Sequence, residues 1–118
     1  MTARFDLVTI DVAEPARMSA FWRAALDLIE TEVEDGDRWI VLSSRDLARR
    51  IGLQRGTPRP GTVHLDLACT VEQFDRETAR LVSLGASVTR APRREPYGSI
   101  VNLADPEGNP FDLCAYVP

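Results

Sequence analysis

The chain contains a single histidine, two cysteines and no apolar run approaching the roughly 18 residues that a bilayer-spanning helix requires. Each shortage closes off a class of protein. Cys69 and Cys114 are too few and too far apart in sequence for a disulfide framework or a zinc ribbon, so two reduced, buried thiols are expected. There is no surplus of positive charge. With 14 Lys+Arg against 18 Asp+Glu, the net charge is −4 and the pI about 4.9, which repels an anionic polymer and leaves no nucleic-acid partner to expect. The opening residues, MTARFDLVTI, show no apolar core followed by a small-residue cleavage site, so a cytoplasmic protein with no membrane partner is expected. A nucleophile elbow, a P-loop, a dinucleotide fingerprint and an HExxH motif are all missing.

What is present is a repeated pattern within a chain of 118 residues, a length that can bury one core without covalent staples. Residues 5–13, FDLVTIDVA, are rich in β-branched side chains and stop at Glu14-Pro15, which predicts a strand. Period two places Val8, Ile10 and Val12 on one face and Leu7, Thr9 and Asp11 on the other. Met18, Phe21, Trp22, Ala25 and Leu26 then recur at helical spacing. Strands over 29–33, 38–43 and 51–55 follow, and the Pro/Gly segment GTPRPG over 56–61 is the natural link between halves.

The second half repeats the order. A strand over 62–68 turns Val63, Leu65 and Leu67 one way and His64 and Asp66 the other. Thr70 and Gln73 have the spacing of a capping box before a helix carrying Val71, Phe74, Leu81, Val82 and Leu84, which Gly85 ends in the left-handed position. Strands over 86–89 and 99–104 flank a long loop over 90–98, RAPRREPYG, and the turn DPEGNP leads into a last strand over 111–117. That strand puts Phe111, Leu113 and Val117 on one face and Asp112, Cys114 and Tyr116 on the other. Asp11 and Asp66, Leu26 and Leu81, and Val33 and Val88 each differ by 55, so a strand, a helix and a strand recur at constant offset. The predicted class is α+β, a single domain of two β-α-β-β-β modules, about 5–56 and 62–118, joined by the linker 56–61.

This repeat, with HLDLA opening the second module, DPEGNPFDL before the last strand, Phe21-Trp22 in the first helix and Leu84-Gly85-Ala86 leaving the second, resembles the glyoxalase/bleomycin-resistance/dioxygenase (vicinal oxygen chelate) superfamily. Within it the pattern is most similar to short glyoxalase-like domain proteins. The resemblance implies two modules forming an open, cup-shaped eight-stranded mixed sheet with the helices outside. It also implies a small-molecule ligand in the cup and a homodimer. Metal-dependent members of the superfamily carry four ligands on the inner wall, and by motif these positions fall on Thr9, Gln54, His64 and Asp112. Only His64 keeps the common pattern, and Thr9 offers a neutral hydroxyl, a poor ligand for a transition metal. The expectation is therefore a small-molecule binder without a tightly held metal cofactor, either a resistance protein that sequesters its ligand or an uncharacterised enzyme. The alternative is a lyase, isomerase or ring-cleaving dioxygenase using a divalent ion (Zn, Ni, Fe or Mn) on His64, Asp112 and Gln54, with Asp11 as a substitute ligand.

For His64 three roles stay open at this stage: a strand histidine hydrogen-bonded to Asp66 or Asp112, a metal ligand, or a general base in a metal-free site. Asp66 and Asp11 join it as catalytic candidates because both face the polar side of their strands. Thr9, Trp39, Gln54, Asp112, Cys114 and Tyr116 are the expected ligand contacts, with Trp39 equally placed to be core or an aromatic wall. Arg90, Arg93 and Arg94 read as a solvated loop or as a flap that attracts an anion.

Overall fold

The two periodicities of the first half become one helix and four strands: β1 (Val8–Val12), α1 (Pro15–Leu26), β2 (Ile29–Glu34), β3 (Trp39–Ser43) and β4 (Arg50–Arg55). The second half gives β5 (Leu65–Ala68), a 3-10 turn (Val71–Gln73) running into α2 (Phe74–Ser83), β6 (Ser87–Glu95), β7 (Gly98–Ala104) and β8 (Pro110–Tyr116). The computed structural model describes residues 5–61 and 63–118; the expected strand start at Thr62 lies outside the described residues, and because β5 begins only at Leu65, Val63 and His64 precede the strand rather than belong to it. The chain divides into two units between Pro58 and Arg59, inside the Pro/Gly segment. Each unit is a four-stranded mixed sheet with one helix, ordered β1-β4-β3-β2 in the first and β5-β8-β7-β6 in the second. The order is the same in both. In each, the strand before the helix pairs in parallel with the last strand, and the remaining pairs are antiparallel.

In the first unit, Met18, Phe21, Trp22 and Ala25 are the buried apolar positions of α1, as helical spacing requires. Phe21 meets Trp22 edge-on at 5.0 Å between ring centroids. Removing a side chain of this size from water is worth about 1.5–3 kcal/mol each. Pro15 opens the helix in its first turn, where its missing N–H costs nothing, and Asp27 closes it at φ +54°. A polar seam crosses the helix side. The buried Ser19 Oγ donates to Glu30 Oε1 at 2.6 Å and accepts from Arg23 Nε at 3.1 Å.

In the second unit, the same logic buries Phe74 and Leu81 of α2 together with Val101, Leu103, Phe111 and Leu113. Gln73 Oε1 accepts the Thr70 N–H at 3.2 Å, completing the cap that the sequence predicts, and Gly85 takes a positive φ of +122°. Edge strands carry charge: Glu30, Glu32 and Glu34 line β2, and Arg90, Arg93 and Arg94 line β6. Charged edges discourage sheet-to-sheet pairing between molecules.

One expectation is corrected here. The stretch 90–95 is strand, because β6 runs from Ser87 to Glu95 and turns at Pro96-Tyr97. Pro92 suggests a loop because it cannot donate to a ladder, but on an edge strand with register shifts either side of Arg90 that donor is not needed.

The turn DPEGN, which delivers β8, is built around a buried carboxylate. Asp105 Oδ1 accepts the backbone N–H groups of Glu107 and Asn109, both at 2.9 Å, and Oδ2 accepts Asn109 Nδ2 at 2.9 Å. Asp105→Ala leaves these donors without an acceptor. A loss of about 2–4 kcal/mol in unfolding free energy is expected, measured by urea denaturation at constant m-value.

Candidate functional site

Strand register decides which side chains share a surface. In the second unit, Asp66 of β5 lies opposite Asp112 of β8, which lies opposite Asn102 of β7, which lies opposite Arg90 of β6. The next row along is Ala68, Cys114, Ile100 and Arg93, and beyond it stand Tyr116, Gly98 and Glu95. These rows form one face, opposite the face on which Leu65, Leu67, Phe111 and Leu113 meet the helix side. His64, two residues before Asp66, adds its imidazole to the first row.

There the side chains converge. His64 Nε2 is 3.3 Å from Asp66 Oδ1 and 3.6 Å from Asp112 Oδ2, and one donor atom from each of the three lies within 4.8 Å of the others. Asn102 Nδ2 donates to Asp112 Oδ1 at 2.5 Å, which fixes that carboxylate with its second oxygen towards His64. Asp112 is largely shielded, whereas His64 and Asp66 remain open to solvent. Cys114 lies one row on. Burial pushes its thiol above the usual range; the Tyr116 hydroxyl pulls against this by hydrogen bonding, Asp66 and Asp112 add to it, and Arg93 opposes. Burial likewise raises Cys69, whose backbone N–H donates to the Cys114 carbonyl at 3.0 Å. Both thiols stay protonated at neutral pH, so neither is poised as a nucleophile.

The first unit has the corresponding face with different chemistry. Asp11 of β1 lies opposite Gln54 of β4, which lies opposite Trp39 of β3, and Thr9 lies opposite Gly52. Trp39 lays its indole across Gly52: a Cβ there would stand 2.5 Å from the far edge of the ring and 3.0 Å from Thr9 Oγ1. Trp39 is thus an aromatic surface on the face shared by Thr9, Asp11 and Gln54. Its half-buried state follows from the missing side chain beneath it.

Of the sequence candidates, His64, Asp66 and Asp112 come together, with Cys114 and Tyr116 on the same face; Thr9, Asp11, Trp39 and Gln54 share the polar face of the first unit. Two contributors escape a sequence reading, Asn102 and Gly52, while Arg93, read from the sequence as part of a solvated loop or an anion-attracting flap, lies on a strand of this face. Period two places Asn102 on a face of its strand, but only the β7–β8 register sets it against Asp112. A lone glycine in the pattern IGLQR is the signal that marked a close approach at Gly52.

With this geometry established, the family follows. A glyoxalase-like domain family model matches residues 7–114. The chain belongs to that family. No curated protein matches it by sequence. Among solved structures, a glyoxalase/bleomycin resistance protein/dioxygenase family enzyme from Burkholderia phytofirmans PsJN superposes with a TM-score of 0.82 at 21% identity, covering 98% of this chain and 100% of that one. A variant of the fosfomycin resistance protein FosX from Listeria monocytogenes, complexed with Mn(II) and 1S,2S-dihydroxypropylphosphonic acid, gives 0.79 at 19% identity over 99% and 93% of the two chains. FosX from Mesorhizobium loti gives 0.76 at 20% identity over 99% and 95%. At these identities the likeness establishes the vicinal oxygen chelate fold for this glyoxalase-like chain.

Gly52→Ala is expected to push the Trp39 indole off the sheet, shifting its emission to longer wavelength while buried Trp22 is unaffected. Its stability cost is about 1–3 kcal/mol. Fluorescence of the Gly52→Ala and Trp39→Phe variants, with Trp22 as the internal reference, checks this.

Proposed function

We propose that this glyoxalase-like protein binds a small organic molecule against the polar face of its second unit, centred on His64, and that binding needs no tightly held metal. The observation that supports this reading is the imidazole set between two carboxylates. An imidazole in this position can donate a hydrogen bond to, or accept one from, a bound hydroxyl and is the side-chain type suited to exchanging a proton with it, with Asp66 and Asp112 orienting the ring. Asn102 keeps Asp112 in place for that role. Thr9 at the first ligand position of the superfamily weakens the case for a metal, since it supplies a neutral hydroxyl where an imidazole is usual. A ligand held in this way is either sequestered, as a resistance protein would do, or turned over by proton transfer.

A second reading is favoured by one specific feature, the spacing of the three donors. Ligand bonds of about 2.0–2.2 Å place adjacent donor atoms roughly 3.0–3.6 Å apart, and the His64 contacts of 3.3 and 3.6 Å fall in that range. One imidazole nitrogen and two carboxylate oxygens suit a divalent cation such as Mn or Zn. His64, Asp66 and Asp112 would hold it, with Asp66 in place of the Gln54 expected from the sequence. A cation there supplies Lewis-acid polarisation of a substrate oxygen. Mn(II) in the Listeria FosX complex is consistent with this second reading.

Elemental analysis of protein purified without chelator, alongside His64→Ala, separates the two readings. The first expects metal well below one equivalent and at least a tenfold loss of affinity in His64→Ala for any compound found by thermal-shift screening. Near-stoichiometric metal that disappears in His64→Ala overturns it in favour of the second, and hits that bind His64→Ala unchanged overturn both.

Homodimerisation and a cytoplasmic location belong to the same reading. Among the described residues no helix is long and apolar enough to cross a membrane. Light scattering is expected to give twice the 13.1 kDa chain mass, and the single-chain value would refute the dimer.

A further inference from the structure

The three arginines of β6 are sorted by a register shift. Arg90 pairs with Asn102 and Arg93 with Ile100, so three residues on β6 span two on β7. Without that extra residue, positions 90 and 93 would point to opposite faces; with it, both turn to the face that carries Asp112 and Cys114. Pro92, lying in the irregular stretch, has no N–H to lose from the ladder there. Arg94, opposite Ser99, follows the other alternation.

The consequence for Arg93 is a partly desolvated guanidinium. Its side chain is 22% exposed, and its Nε is shielded from solvent without a hydrogen-bond acceptor among the described residues. Glu95 Oε1 lies 3.3 Å from Nε but makes no hydrogen bond to it, and among the described residues Nη1 reaches the Ala91 carbonyl alone, at 3.4 Å. Glu95 balances the charge, but an Nε–H shielded from water with no aligned acceptor is still costly, and an incoming oxygen in line with it would remove that cost.

We propose that Arg93 is the anion-binding residue of this face, and that the ligand is a small molecule carrying a carboxylate, phosphonate or phosphate group. This rests on the reading that the second unit's polar face is the binding site. The fork of Nε and Nη matches two oxygens of such a group, which a lysine ammonium cannot do. The rows fix the rest of the ligand. Arg93 shares its row with Cys114, and His64, Asp66 and Asp112 belong to the next row, about 7 Å along the strands. The molecule therefore carries its anion at one end and, near His64, a hydroxyl or carbonyl. The two carboxylates beside His64 disfavour the anion at that end, and at the other the anion takes the place of Glu95 on Arg93.

The test uses phenylphosphonate and benzoate as probes, with neutral benzamide as control, titrated into the full chain and followed in 1H–15N spectra that include the arginine Nε–Hε signals. Both anions are expected to shift the Arg93 Nε–Hε signal and the amides of β6 and β8. Binding is expected to be at least tenfold weaker in Arg93→Gln, unchanged in Arg94→Gln, and weaker for benzamide than for benzoate. Arg93→Lys, which keeps the charge but loses the fork, covers the case in which Arg93→Gln fails to fold, and is expected to lose at least threefold. Equal binding of the anions to wild type and to the folded Arg93 variant, or an Arg93 signal unmoved at tens of millimolar probe, overturns the assignment. His64→Ala run in parallel keeps the two proposals apart. Anion binding that survives His64→Ala and fails in the Arg93 variant upholds this one even where the His64-centred reading falls.

Discussion

Asp66 and Asp112 stand directly opposite each other on parallel neighbouring strands, and like charges in that position repel. Everything distinctive about the second unit's polar face answers that repulsion. Asn102 binds one oxygen of Asp112 from the far side, and His64 reaches over to both carboxylates. The register thus brings an imidazole nitrogen and two carboxylate oxygens within 4.8 Å of one another. The helix side of the same sheet, filled by Phe111, Leu113 and Leu81, contributes stability and holds the register rigid.

The first unit shows what happens when the constraint is absent. It has the same strand order and the same parallel pairing, but the position equivalent to Asp66 is Asp11, and it faces Gln54, an amide. No like-charge pair forms across these strands. The face is used differently: Gly52 removes a side chain and the far edge of the Trp39 ring occupies its place beside Thr9. Two units built to one plan thus differ in chemistry, one presenting an aromatic surface beside Thr9, Gln54 and the Asp11 carboxylate, the other an imidazole between carboxylates.

Much of the fold was legible because both periodicities are local. Met18, Phe21, Trp22 and Ala25 announce α1 by spacing alone, and the constant offset of 55 from Asp11 to Asp66 and from Leu26 to Leu81 announces the repeat. The misreading of 90–95 has an equally local cause, since Pro92 and three arginines look like a loop when the strand's edge position is unknown. For the site, the sequence placed His64 and Asp66 on one face by period two and left the partner of His64 open between Asp66 and Asp112, both of which it meets.

By itself, then, the sequence determined which residues alternate, where the chain turns and that the pattern occurs twice, because helix and strand spacing are properties of contiguous residues. Only the tertiary structure decided that Asp112 faces Asp66, that Asn102 holds it, and that a bulge swings Arg93 onto the same surface. Those facts depend on register between strands far apart in the chain, and register is set by the packing of whole sheets, which no single segment encodes.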